Sequence, residues 1–278
     1  MLSTYASTMA LWIDRPAWPA HDTVFSHLVS DGGLEATGAA SWVRASAELT
    51  DALAGAGLHP GWLDGDHADV PVSAFDDLLA AGAQLRSARE ITAMLTATGQ
   101  RLRKRKAEKC LTRTVVDEGH RVDLVRSAAG PVGAAGSATM EDGGLVVADG
   151  AGRVLLVPGE DGWGLLQGVG PQGVAGGVPG RDVGGPSSTS GKGALIGYEE
   201  EVRREGGVLR RQHRAYRLQV VGGPDGLAAV GAAWSTGAEA PAPIDGARWV
   251  GLAEGRALVG GASWWPLVAR GMERGWGV

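Results

Sequence analysis

Ala194–Gly207 reads ALIGYEEEVRREGG. Most of these residues are good helix formers and the Gly206-Gly207 pair is a stop signal, so the stretch predicts a helix. On a helix, Glu201 and Glu205 lie on one face, four residues apart. Like charges at that spacing repel by roughly a few tenths of a kcal/mol unless something neutralises them. Two carboxylates can share a hard cation such as Mg²⁺ (or Mn²⁺) with a diphosphate. Arg203 and Arg204 offer the alternative, an ordinary charged surface.

Upstream, Gly144–Asp149 (GLVVAD) and Arg153–Val157 (RVLLV) are apolar runs joined by Gly150–Gly152, which predicts a β-hairpin. Gly162–Leu166 (GWGLL) follows. Residues 168–193 are dominated by Gly, Pro, Ser and Val without periodicity and read as a loop. Its GPSSTSGK is not a phosphate loop, because Gly193 stands where the magnesium-binding hydroxyl belongs and no strand precedes it. Downstream, Tyr216–Val221, Leu227–Trp234 and Arg248–Leu252 read as strands and Trp264–Arg274 as a closing helix.

The succession of D-G-x-G-R-V-L-L-V hairpin, D-G-W-G-L-x-x-G, glutamate-rich helix and R-W-V-x-L resembles the Nudix hydrolase superfamily over about residues 121–274. Glu201, Val202, Glu205, Gly207 and Val208 match the family's helix motif. Glu200 stands where an arginine belongs and Arg204 replaces a glutamate, so the Nudix box is degenerate. The resemblance implies an α/β/α sandwich with Glu201 and Glu205 as catalytic metal ligands for Mg²⁺ or Mn²⁺. It also implies a hydrolase acting on a nucleoside diphosphate linked to another moiety, in which metal-bound water attacks phosphorus. The alternative is a catalytically impaired module that binds a nucleotide-type small molecule.

The first hundred residues have a different grammar. Ala10–Asp14 (ALWID) reads as a short buried strand. Ala40–Ala56 reads as a helix closed by Gly57. Ser73 reads as the cap of a helix running to Ala80, with Asp76 and Asp77 in its first turn. Ser87, with Glu90 three residues on, reads as a capping box for a helix that Gly99 closes. Alternating short strands and helices predict a small α/β domain. Its polar residues gather in WPAHDTVFSHLVSD, with His21, His27 and Asp31, and in DGDHADVP, with Asp64, Asp66, His67 and Asp69. Histidines and aspartates together can ligate a divalent metal or move a proton. Taken singly, each histidine can equally serve the fold.

The phrases W-I-D-x-P-x-W-P-A-H, S-H-L-V-S-D and D-H-x-D-V-P, with a following S-x-R-E-I helix, resemble domain-of-unknown-function family 4031 over about residues 9–103. The family pattern places polar residues at Asp14, His27, Asp31, His67 and Asp69. His27, Asp31, His67 and Asp69 are therefore the candidate metal ligands of the first domain. If any chemistry has left the C-terminal half, it belongs to them.

Composition frames both halves. Residues 1–110 hold 9 glycines and residues 111–278 hold 37, which predicts two α/β domains, 9–108 and 109–278. Residues 1–100 carry 4 basic against 12 acidic side chains, whereas Arg101–Arg126 carries 9 against 4. A net charge of −5 argues against general nucleic-acid binding, and the basic run RLRKRKAEK reads as a solvated strand end or linker. No run approaches the roughly 18 apolar residues of a membrane span, the first residues lack a basic leader, and the single cysteine, Cys110, cannot form an internal disulfide. A cytoplasmic location is the expectation.

Overall fold

The computed structural model describes residues 10–33, 41–132, 140–159, 162–166, 193–221, 246–274 and 276. The expected loop at 168–193, apart from Gly193, and the expected strand Leu227–Trp234 lie outside them. Two compact units result, and the division between them is not one cut in the chain. The first holds the described residues up to Lys104, then Lys109–Asp123 and Glu201–Arg211. The second holds Arg105–Glu108, Leu124–Glu200 and the residues from Gln212 onward. Helices and sheet occur in both, so the α/β class holds.

The first unit is built on a five-stranded sheet: β1 (Leu11–Ile13), β2 (Trp18–Ala20), β3 (Thr23–Ser30), β4 (Ala68–Pro71) and β5 (Gln84–Leu85). β3 is its centre. One edge pairs with β4, and the other pairs antiparallel with both β1 and β2. β1 continues the sheet to β5 in parallel.

Side chains alternate across a strand, so β3 sorts its residues onto two faces. Leu28 joins Ile13, Ala68 and Val70 in a core completed by Leu49 and Leu53 of α1 (Trp42–Gly55) and Leu78 of α2 (Phe75–Ala80). Val29 points the other way and packs with Ile91, Met94 and Leu95 of α3 (Ala88–Ala97). The helices thus cover opposite faces. α1 buries Trp42, Ala45, Leu49 and Leu53, a single stripe at helical spacing. α3 has the expected capping box, with Ser87 and Glu90 each bonding the other's backbone. The expected cap Ser73 falls instead in a 3₁₀ turn, Val72–Ala74, and α2 starts at Phe75 after Ala74 without a side-chain cap.

Two further strands, β6 (Lys109–Asp117) and β7 (His120–Arg126), follow the basic run. They bring Arg113 and Arg121 onto Asp123, fully buried, at 2.5 and 3.0 Å. The indole of Trp42 lies under two guanidinium groups, Arg121 at 4.8 Å and Arg204 at 4.6 Å from its ring centre.

The second unit contains β8 (Met140–Asp149), β9 (Val154–Gly159), β10 (Gly162–Gly164) and β13 (Arg248–Val250). β8 and β9 form the expected antiparallel hairpin, and β9 pairs with β10 and β13. Val147, Leu155, Leu166 and Val221 form its core cluster. Helices α4 (Leu252–Val259) and α5 (Trp265–Arg274) follow β13.

The largest departure from expectation is Ala194–Gly207. It is not a helix. Ala194–Glu205 is strand β11, and it turns directly into β12 (Val208–Val221). Gly206 and Gly207 have φ of 56° and 81°, the two positive values a two-residue hairpin turn requires. β11 runs between β12 and β7 in its sheet, and this pairing outweighs the helix propensity of its glutamates and arginines.

Candidate metal centre

β3 and β4 pair in a register that sets His27 opposite Asp69. Directly opposite residues share a face. His67 lies two residues before Asp69 and so points to the same side. Asp14 follows β1, its backbone N–H bonds the His27 carbonyl at 3.2 Å, and it joins the same face. One ligand atom from each of His27, His67 and Asp69 lies within 4.8 Å of the other two.

Each imidazole is held from behind by a buried carboxylate. Asp14 accepts from His27 Nδ1 at 2.9 Å and from the His27 backbone N–H at 2.6 Å. Asp66 accepts from His67 Nδ1 at 2.7 Å and from the Leu102 backbone N–H at 2.7 Å. An ionised carboxylate only accepts, so the ring nitrogen facing it carries the hydrogen. That leaves Nε2 of each ring as the nitrogen available to a cation, the arrangement in which a carboxylate fixes the tautomer of a histidine ligand.

The local charges follow. Burial alone would raise the Asp66 pKa, but the hydrogen bond and charge of His67, with Arg113 and Arg101, hold it well below the carboxylate range. Burial alone would lower the His67 pKa, but Asp66 and Asp69 push it up to about 9. His67 Nε2 lies 3.5 Å from Asp69 Oδ1. Asp69 in turn is held below its ordinary value, as His67, Lys109 and His27 overcome the effect of burial. A cation between Nε2 and Asp69 would occupy the place of the imidazolium proton. The Trp18 ring, 45% exposed, stands 5.1 Å from the His27 ring and gives the centre an apolar neighbour.

The basic run turns out to be the counter-charge of the acidic loop. Arg101 contacts Asp66 at 3.3 Å, and Lys104 and Lys109 contact Asp64 at 3.2 and 3.3 Å. Asp64 also accepts the Cys110 backbone N–H at 3.0 Å. These residues support the loop that carries His67.

Three expected ligands lie elsewhere. The Asp31 carboxylate accepts backbone N–H groups of Ala10 and Gly33 at 3.1 and 2.8 Å, which fixes the turn after β3. At about 3.3 Å per residue, four positions along the chain from His27 place it roughly 13 Å from the centre. Glu201 and Glu205, on a strand, are also separated by roughly 13 Å rather than one helical turn, too far to share an ion. Glu201 meets His120 at 2.8 Å and Arg203 at 2.7 Å, and Glu205 meets Arg210 at 2.6 Å. Arg203 is therefore a neutraliser, as the alternative reading of the sequence has it, but Arg210 takes the part given there to Arg204, which instead donates to the Thr98 carbonyl at 2.9 Å. Conversely, Asp14 and Asp66 emerge as orienting groups: the β1–β3 pairing brings Asp14 behind His27, and Asp66 directly precedes His67.

No curated protein and no solved structure matches this chain. Residues 11–98, the span that contains His27, His67 and Asp69 with both supporting aspartates, match the family model described as protein of unknown function (DUF4031).

Proposed function

We propose that the first unit holds one first-row divalent metal ion on His27, His67 and Asp69, and uses it to activate water for hydrolysis. The observation that carries this reading is the convergence of three ligand atoms within 4.8 Å of one another, with both histidine Nδ1 atoms occupied by Asp14 and Asp66. Two imidazoles and a carboxylate suit Zn²⁺ and its neighbours better than Mg²⁺, which prefers six oxygens. Three protein ligands leave a tetrahedral ion one position for water, and Zn²⁺ brings the pKa of such a water to about 7. An ion held by His27, His67 and Asp69 would supply a metal-activated water as nucleophile and would offset charge on the attacked group. Nucleoside diphosphate derivatives, the substrate class implied by the Nudix resemblance of the C-terminal half, suit this chemistry and form the first panel, with simple phosphate esters beside them.

The test is metal analysis of the purified full chain after equilibration with Zn²⁺, Mn²⁺ or Mg²⁺ and removal of unbound ion. About one equivalent of Zn²⁺ per chain is expected, with none retained by His67→Ala. A wild-type chain that retains no metal, or a His67→Ala chain that retains it fully, overturns the proposal. Metal-dependent hydrolysis of the panel then separates an enzyme from a purely structural ion.

A further inference from the structure

The second unit has a cleft of about 480 Å³. Small-molecule sites commonly span roughly 300–1,000 Å³. The lining has two characters. Leu195, Ile196, Leu267 and Trp276 form an apolar wall, while Arg105, Arg126, Arg270 and Arg274 bring four guanidinium groups against one carboxylate, Glu108.

That carboxylate is used within the protein. Glu108 accepts from the Arg105 backbone N–H at 2.6 Å, from Arg105 Nη1 at 2.8 Å and from Ser127 Oγ at 2.6 Å. It offsets Arg105 and closes a turn. Among the described residues, Arg126, Arg270 and Arg274 have no acidic partner, and Glu273, next to Arg274, is engaged by Arg256. Arg270 and Arg274 also lie four residues apart on α5, a spacing at which like charges repel.

The Trp276 indole lines the cleft beside α5. The indole is also placed by the backbone, since a Cβ at Gly271 would lie 2.0 Å from it. The chain beyond α5 can fold its ring against the helix only because residue 271 has no side chain. The cleft thus combines three guanidinium groups that have no acidic partner among the described residues with an indole packed on Gly271.

We propose that this cleft binds an organic phosphomonoester, with the phosphate on Arg126, Arg270 and Arg274 and the apolar or planar body against Leu267 and Trp276. A dianion answers three cations better than a carboxylate does, and guanidinium forks match phosphate oxygens in pairs.

Isothermal titration of the full chain tests this, with chelator present so that no metal recruits the phosphate. The probes are AMP, phenyl phosphate and hexyl phosphate, with inorganic phosphate and adenosine as the separate halves. At least one ester is expected to bind at one site per chain, more than tenfold tighter than inorganic phosphate or, for AMP, adenosine. Arg270→Gln should weaken binding by roughly 10–100-fold, the value of a charge-assisted contact. Arg274→Gln should weaken it in the same direction, and because Arg274 is exposed at the helix end this variant keeps the core of α5 intact. The proposal is overturned if none of the esters binds, if inorganic phosphate binds as tightly, or if Arg274→Gln and a folded Arg270→Gln both bind like wild type.

Discussion

Replacing Asp14 by Asn tests the metal centre without touching a ligand. The Asp14 carboxylate makes two bonds to His27, one to the backbone N–H at 2.6 Å and one to Nδ1 at 2.9 Å. Both partners are donors. An Asn amide has the same shape but only one acceptor oxygen, so it can satisfy one of them and must present N–H to the other. If the oxygen keeps the backbone N–H, the amide nitrogen donates to Nδ1 and moves the ring hydrogen to Nε2. The lone pair that faces His67 and Asp69 is then lost. If the amide turns over, two donors meet at the backbone and the ring is displaced. Loss of such a supporting carboxylate typically costs 10–100-fold in metal affinity, or about 1.4–2.8 kcal/mol. Competition of the full chain with a chromogenic chelator for Zn²⁺ measures this. His27→Ala, which removes a ligand, should cost more than Asp14→Asn. Wild-type affinity in a folded Asp14→Asn chain would refute the reasoning, because the carboxylate would then have no part in presenting Nε2.

Three other outcomes are expected. Glu205→Gln should leave Zn²⁺ stoichiometry unchanged and shift stability by less than about 1 kcal/mol, since its pair with Arg210 is exposed; loss of metal in this variant would return the site to Glu201 and Glu205 as metal ligands. Asp123→Asn should cost roughly 3–5 kcal/mol in urea unfolding, because it removes the buried negative charge that both the Arg113 and the Arg121 guanidinium groups contact. Burial alone would raise the Asp123 pKa, but the two guanidinium groups hold it below its ordinary value. Its stabilisation is therefore complete above the unfolded value of about 3.9 and is lost as pH falls below that towards the folded value, so the wild type should lose stability more steeply than Asp123→Asn in acid; parallel acid profiles would contradict this. Finally, His21 and Asp22 occupy the β2–β3 turn with φ of 47° and 59°. Asn-Gly suits such a turn better, so the double replacement should raise stability by about 1 kcal/mol, and a lowered melting temperature would show that the native side chains hold the turn.

What was legible in the sequence was what local chemistry decides. Ser87 and Glu90 announce α3 because both halves of the capping box lie within one turn. The β8–β9 hairpin is visible because apolar runs flank a glycine turn. Ala194–Gly207 misleads for the complementary reason. Its glutamates and arginines favour helix in isolation, and the signals that overrule them lie outside the segment: pairing with β7 and β12, and side-chain contacts with His120 and Arg210. The Gly-Gly pair was ambiguous in kind, since the same residues end a helix or turn a hairpin, and only a following strand distinguishes the two. The His/Asp site shows the same split. His27, His67 and Asp69 could be named as ligand types from two separate motifs, but their meeting depends on a register that sets residue 27 against residue 69 across about forty intervening positions. That register also decides which aspartates take part. Asp31 has the right chemistry and lies in the same motif as His27, yet it is spent on the turn after β3. Asp14, outside both motifs, stands behind His27 because β1 runs antiparallel to β3 and ends one residue earlier. A ligand set is therefore readable as a list of candidates, whereas the place of Asp14 behind His27 is a property of strand pairing. The Asp14→Asn experiment bears on that second layer, which no spacing in the sequence contains.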